Sequence, residues 1–261
     1  MKRTSVSLIG KDAKTFYHAM YATTIRGHHM AEKFDRIVLA VPDLPVAIEQ
    51  YQLFLGKASC LIDPLNERPS AWWGLSNTVI ELVQSTESEA RVRGLVFSSS
   101  TASQGEISVS NTLNIDIRLC DGSVTAEFRR LYAAAQCSEL CVDHVVLRTD
   151  DAQACIDLFG AELGVRLALD KTAPQWGGRM LFFRAGKLTL EVIEPVGDQT
   201  TVTAFWGLAY QCQNLDSFVR TLAERGVSTA EIREGRKPGT RVATLKSHSL
   251  GIPTLLIQPA K

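Results

Sequence analysis

Two pairs of residues in this chain have the types and spacing to do chemistry. Arg36 and Glu81 stand 45 positions apart, and His144 and Glu191 stand 47 apart. A cation or an imidazole beside a glutamate can serve a buried carboxylate, which needs donors or a counter-charge once it leaves water. It can also present donors and acceptors to a ligand. For Arg36 with Glu81 an ion pair is the economical reading. For His144 with Glu191 both readings stay open, a hydrogen-bonded core pair and a ligand site. A third cluster, Arg236-Lys237-Pro238-Gly239-Thr240-Arg241, lies on a turn that Pro238-Gly239 fixes, with Glu231 and Glu234 near enough to neutralise it.

Several familiar chemistries are missing. No nucleophile elbow, phosphate loop or dinucleotide fingerprint occurs, and Gly177-Gly178 is a turn signal. Ser247-His248-Ser249 has no evident acid partner for nucleophilic catalysis. The cysteines Cys60, Cys120, Cys137, Cys141, Cys155 and Cys212 form no C-x-x-C pair. Cys137 and Cys141 are one helical turn apart, half of a zinc site with no second half, so all six read as reduced, mostly buried thiols. Basic and acidic residues balance at 28 each, which removes the net field that would draw the chain to nucleic acid or a membrane surface. Without a secretory signal or an apolar run of membrane-spanning length, the expected location is the cytoplasm. The expected partner is a small molecule.

The chain of 261 residues, 45% hydrophobic and 21% charged, is long enough for one large core or two of ordinary size. What must position the chemical residues is an internal repeat. Phe34-Asp35-Arg36-Ile37-Val38-Leu39 is echoed by Val142-Asp143-His144-Val145-Val146-Leu147. Each is followed by a helix ending in Leu-Gly, predicted over 45–55 with Gly56 as its stop and over 152–163 with Gly164. Each copy then runs to a strand that carries the glutamate, Thr78 to Val83 and Leu188 to Ile193. A weaker echo, Arg93-Gly94-Leu95-Val96-Phe97 against Trp206-Gly207-Leu208-Ala209-Tyr210, opens a further unit in each half. In the second half a helix follows over 217–225, capped by Gly226, and then strands over 241–246 and 253–258. In the first half the matching helix is missing or displaced: 105–119 reads as a hairpin and 123–135 as a helix leading onward. Residues 1–29 do not fit the pattern; Gly27-His28-His29 precedes Met30, and the paired histidines would bind metal only adventitiously.

This paired strand–helix–strand–strand–strand unit resembles the modules of the vicinal oxygen chelate superfamily, the glyoxalase, bleomycin-resistance and extradiol-dioxygenase proteins. The resemblance covers about 34–261, and Val142 to Leu147, Arg179 to Pro195, Trp206 to Asp216 and Gly239 to Ile257 match the pattern of two-domain bacterial glyoxalase-like proteins. It implies an α+β fold in which paired βαβββ modules form two glyoxalase-like domains with curved mixed sheets around a cavity. The chain would divide into an extension or leader, 1–30, a degenerate glyoxalase-like domain, 31–136, and a glyoxalase-like domain with the ligand cavity, 137–261.

In metal-using members the ligands are a histidine on the first strand of a module and a glutamate on the last. Carried over, the second half offers His144 and Glu191. Alternation would turn Leu188, Leu190 and Val192 to the helices and Thr189, Glu191 and Ile193 to the cavity. The partner module departs from the family, with Gly207 at the histidine position and Leu255 at the glutamate position, while the first half has Arg36 for the histidine and keeps Glu81. Two ligands make a weak site for a divalent ion, and Asp116 would supply a third only if modules paired across the halves. The resemblance therefore implies a small-molecule-binding protein with a degenerate metal site, taking an organic acid or aromatic metabolite and needing no cofactor. The alternative is a metal-dependent lyase, isomerase or dioxygenase of the same superfamily that holds a divalent metal.

The expected ligand contacts are His144, Glu191, Trp176, Trp206, Gly207, Arg179, Lys237 and Arg241. Trp176 and Trp206 would wall an apolar body, as Trp72 and Trp73 would in the first half. Gly207 and Ala209 would leave room where a ligand histidine otherwise projects. Arg241, helped by Lys237 or Arg179, would hold an acidic group. The first half then reads as structural, or as a surface for homodimerisation.

Overall fold

The computed structural model describes residues 30–57, 60–62, 69–102, 105–131, 139–197 and 202–260. The extension through residue 29, Cys137, the end of the helix predicted to reach 135, and the side chains of Cys60 and Trp176 lie outside what is described. The first half contains β1 (Lys33–Val41), α1 (Leu44–Leu55), β2 (Cys60–Ile62), β3 (Pro69–Gly74), β4 (Val79–Gln84), β5 (Arg91–Ser98), β6 (Glu106–Ser108), β7 (Asp116–Cys120) and α2 (Ser123–Leu131). The second half contains β8 (Leu140–Arg148), α3 (Ala152–Cys155), β9 (Arg166–Ala173), β10 (Gly178–Ala185), β11 (Leu188–Pro195), β12 (Ala204–Cys212), α4 (Leu215–Glu224), β13 (Arg233–Glu234), β14 (Arg241–Thr244) and β15 (Thr254–Gln258).

The helices begin where the sequence supplies a cap. Asp43, Asp151 and Asn214 each accept a bond from the backbone N–H three residues on, and Gly56 stops α1 at φ 89°. The helix predicted over 152–163 is only partly α-helical: after Cys155 it widens into π-type turns over Ile156–Glu162.

Each half builds one mixed sheet, of order β2-β3-β4-β1-β5-β7-β6 and β9-β10-β11-β8-β12-β15-β14-β13. Strand for strand these are the same order, with β13 as the addition. The modules therefore pair within a half, through β1 with β5 and β8 with β12, and not across the halves. Three of the four modules follow the βαβββ plan. The remaining one, β5-β6-β7, has no helix of its own among the described residues, and α2 comes after it.

Alternation decides which face each residue takes. Val145, Leu147, Leu188, Leu190 and Val192 join Ile37, Leu39, Ile80 and Leu82 in one apolar cluster that spans both halves under the helices. Phe54 of α1 packs its ring edge-on to Tyr210 of β12 at 5.1 Å, and the Asn77 side chain exchanges hydrogen bonds of 2.7 and 3.0 Å with the backbone of Val142. The opposite, concave face of each sheet is left for chemistry. Among the described residues no helix is long and apolar enough to cross a membrane.

Candidate functional site

The strand register puts the four chemical residues in strict correspondence. Arg36 on β1 lies beside Val79, and Glu81 beside Val38; His144 on β8 lies beside Thr189, and Glu191 beside Val146. Both glutamates thus occupy the same place on the concave face of their own sheet. The ladder is interrupted in both halves by the same pair of bulges. Asp35 and Asp143 are skipped on β1 and β8, and Arg93 and Trp206 are skipped on β5 and β12. A bulge re-aims the neighbouring side chains, and here it brings an aspartate against the residue that follows it.

In the second half, His144 Nδ1 lies 2.8 Å from Asp143 Oδ2. In the neutral imidazole, Nδ1–H donation to that carboxylate leaves Nε2 a lone pair. This nitrogen faces Glu191 Oε2 at 3.6 Å, beyond hydrogen-bond reach. Both side chains are partly open to solvent, at 18% and 15%. Two acceptors held at that separation suit a group with two hydrogens to donate, such as water or a ligand amine, or a ligand hydroxyl that donates to one of them.

In the first half the same positions are closed by charge. Arg36, 1% exposed, donates through Nε to Glu81 Oε2 and through Nη1 to Asp35 Oδ1, each at 3.1 Å, and also contacts Glu106. Its guanidinium lies 4.7 Å from the centre of the Trp72 ring. Arg118, in the place that Leu255 takes in the second half, pairs with Glu106 and Asp116. Helix α2 seals the face: Phe128 packs edge-on to Trp72 at 5.2 Å and touches Val79, and Thr125 donates to Asp35 at 2.6 Å. Burial beside Asp35 pushes the Cys120 thiol up to about 12.

Several expected contacts are not brought to the His144 face. Arg241 lies on the helix side of β14, where its fork is taken by Asp216 of α4. Arg179 is taken in the same way by Asp170 across β10 and β9. Each carboxylate is held below the ordinary range by the guanidinium that donates to it. Lys237 is exposed on its turn, and the side chain of Trp176 lies outside what is described. Trp206, the extra residue of its bulge, is 50% exposed, whereas Trp73 is core and donates to Gly56 O at 2.8 Å.

Gly207 does not open a pocket either. A Cβ at this position would lie 2.5 Å from Pro253 O, so the space is filled by the backbone that leads into β15. Gly94 does the same in the first half, 2.4 Å from Asp116 O. Asp116 is committed to Arg118 and Arg93 in the other sheet and does not reach His144.

The donor set does not fit a tightly held metal. Gly207 and Leu255 have nothing to coordinate with, and among the described residues no three of His, Cys, Asp and Glu converge.

Sequence reasoning missed Asp143 as the residue that orients His144, although the echo Phe34-Asp35-Arg36 against Val142-Asp143-His144 carried the signal. It also missed the cations Arg166 and Arg184. Alternation from Thr189 and Glu191 across to β10 would have placed Phe182 and Arg184 on the same face.

Residues 143–244 match the family model described as Glyoxalase/Bleomycin resistance protein/Dioxygenase superfamily. No curated protein matches the chain. Among solved structures, a triple variant of 4-hydroxymandelate synthase from Streptomyces coelicolor superposes over 87% of this chain and 92% of its own, with a TM-score of 0.65 at 13% identity. Methylmalonyl-CoA epimerase from Mycobacterium tuberculosis covers 46% of this chain and 88% of its own, with a TM-score of 0.39 at 20% identity. The family match lies within the second half of the chain, on a fold that the first half repeats.

Proposed function

We propose that the concave face of the second half binds a small organic acid or aromatic metabolite on the frame of a degenerate metal site, with no tightly held ion. The carrying observation is the contrast between equivalent positions. Arg36 and Glu81 are locked together and covered by α2, whereas His144 and Glu191 stay apart and partly exposed. Around them lie Thr189, the half-buried Phe182 and Ile193, and Leu169, 44% exposed on the edge strand. A ligand hydroxyl or N–H would donate to Nε2 or to Glu191, while the ligand's apolar body covers Phe182 and Leu169.

Titrating tag-free protein with aromatic and carboxylate metabolites by calorimetry tests this. A ligand that binds should lose at least tenfold in affinity, about 1.4 kcal/mol, on His144→Ala. The convergence of His144 and Glu191 also favours a second reading, a metal-dependent lyase, isomerase or dioxygenase. Near-stoichiometric zinc, iron, nickel or manganese in the purified protein, lost on His144→Ala, would move the assignment there.

A further inference from the structure

Among the described residues, some arginines of this chain are held by a carboxylate, and others, Arg148, Arg166, Arg184, Arg220, Arg225 and Arg236 among them, are not. Arg36, Arg91, Arg93, Arg118, Arg130, Arg179 and Arg241 all sit within ion-pair distance of a carboxylate. Arg166 and Arg184 make no ion pair or hydrogen bond among the described residues, although they stand directly opposite each other on β9 and β10. Like charges in that relation repel, and the sheet gains nothing structural from the arrangement. Their row across the sheet runs Arg166, Arg184, Thr189, His144, Ala209. Residues opposite one another share a face, so both guanidiniums project from the concave side that carries His144. The neighbouring row places Leu169 and Phe182 beside Glu191. Glu191, the nearest carboxylate by register, faces His144 instead of neutralising Arg184. The place equivalent to Arg184 in the first half is Gly74, so the cation is present only in the half whose face is open.

We infer that Arg166 and Arg184 form the anion subsite of the second-half face, and that its ligand is a carboxylate with an apolar or aromatic body. Two adjacent guanidinium forks accept a planar carboxylate in a bidentate manner and lose their mutual repulsion when it arrives. The body then runs over Phe182 and Leu169 toward the His144 and Glu191 acceptors. This rests on the proposed function and names the class of compound that the face selects.

The probes are 3-phenylpropionate and its neutral amide, 3-phenylpropanamide, followed by calorimetry and by amide NMR shifts of full-length protein. Wild type should bind the acid at least tenfold more tightly than the amide. Arg184→Gln and Arg166→Gln, both at exposed positions, should each remove at least tenfold for the acid and leave the amide within twofold. Arg241→Gln and Arg179→Gln, whose partners are Asp216 and Asp170, should change neither. Equal binding of acid and amide, unaltered by Arg184→Gln but weakened by His144→Ala, overturns the subsite and leaves the binding face standing. Absence of shifts on the second-half face from either compound at millimolar concentration overturns both.

Discussion

In the first half Arg36 and Glu81 meet at 3.1 Å beneath α2, while in the second half His144 and Glu191 remain 3.6 Å apart on an open face. Sheet order, register and bulges are shared, so the backbone frame does not decide between these outcomes. Side-chain identity at a few positions does. An arginine in place of the histidine draws in Asp35, Glu81 and Glu106, and a helix that follows its module in place of one within it supplies Phe128 as a cover. One scaffold thus yields a sealed electrostatic core and a partly exposed pair.

The largest test of this contrast is to remove the central residue from each half. Arg36→Ala removes the counter-charge shared by the buried Asp35 and Glu81 and should cost about 3–5 kcal/mol in urea unfolding. His144→Ala, at a partly exposed position, should cost less than about 1 kcal/mol. Similar costs for the two would erase the distinction between a structural and a functional pair. Phe128→Ala removes the cover and should cost about 3–5 kcal/mol, if the plug is as well packed as a core aromatic. Acrylamide quenching should then reach Trp72, and an unaltered fluorescence response would show that α2 is no seal.

Gly94→Ala and Gly207→Ala probe what the halves have in common. Each forces a methyl group against a carbonyl oxygen, and each should cost about 1–3 kcal/mol by overpacking, with the two values close together. A neutral Gly207→Ala would mean that the seam yields and that space exists there after all. The smallest effects belong to the surface pairs Arg179 with Asp170 and Arg241 with Asp216. Both aspartates are held below their ordinary value of 3.8 in the folded chain. Their contribution is therefore present at neutral pH and fades as pH falls through the depressed folded values. Arg179→Ala and Arg241→Ala should leave the neutral melting temperature almost unchanged and flatten only the acid limb of the stability profile. A large loss at pH 7 from either variant would make these charges part of the core argument.

The repeat, the helices with their caps and the facing of Glu81 and Glu191 were legible in the sequence, because period-2 alternation and Asp, Asn and Gly stops are local signals. The Arg36 ion pair was legible too. The bulges were not: an extra residue shifts the face of everything beyond it, and alternation alone assigned no role to Asp143. The pairing of Arg241 with Asp216 was not legible, because a basic turn looks the same in sequence whether or not a helix N-terminus brings an aspartate to it. Gly207 was read as empty space because a one-dimensional pattern cannot show that Pro253 fills it.

That last feature bears on how this chain can change over generations. A four-donor site differs from the present second half at only two positions, 207 and 255, and on paper two codon changes would restore it. The backbone closes over position 207, however, with Pro253 O where a Cβ would begin. Any side chain introduced there must first prise the β12–β15 seam apart, so a returning histidine would be penalised before it could coordinate anything. The seam would act as a ratchet: Arg166, Phe182 and Arg184 stand on a face where one residue can change at a time, whereas building a metal centre would require several simultaneous changes.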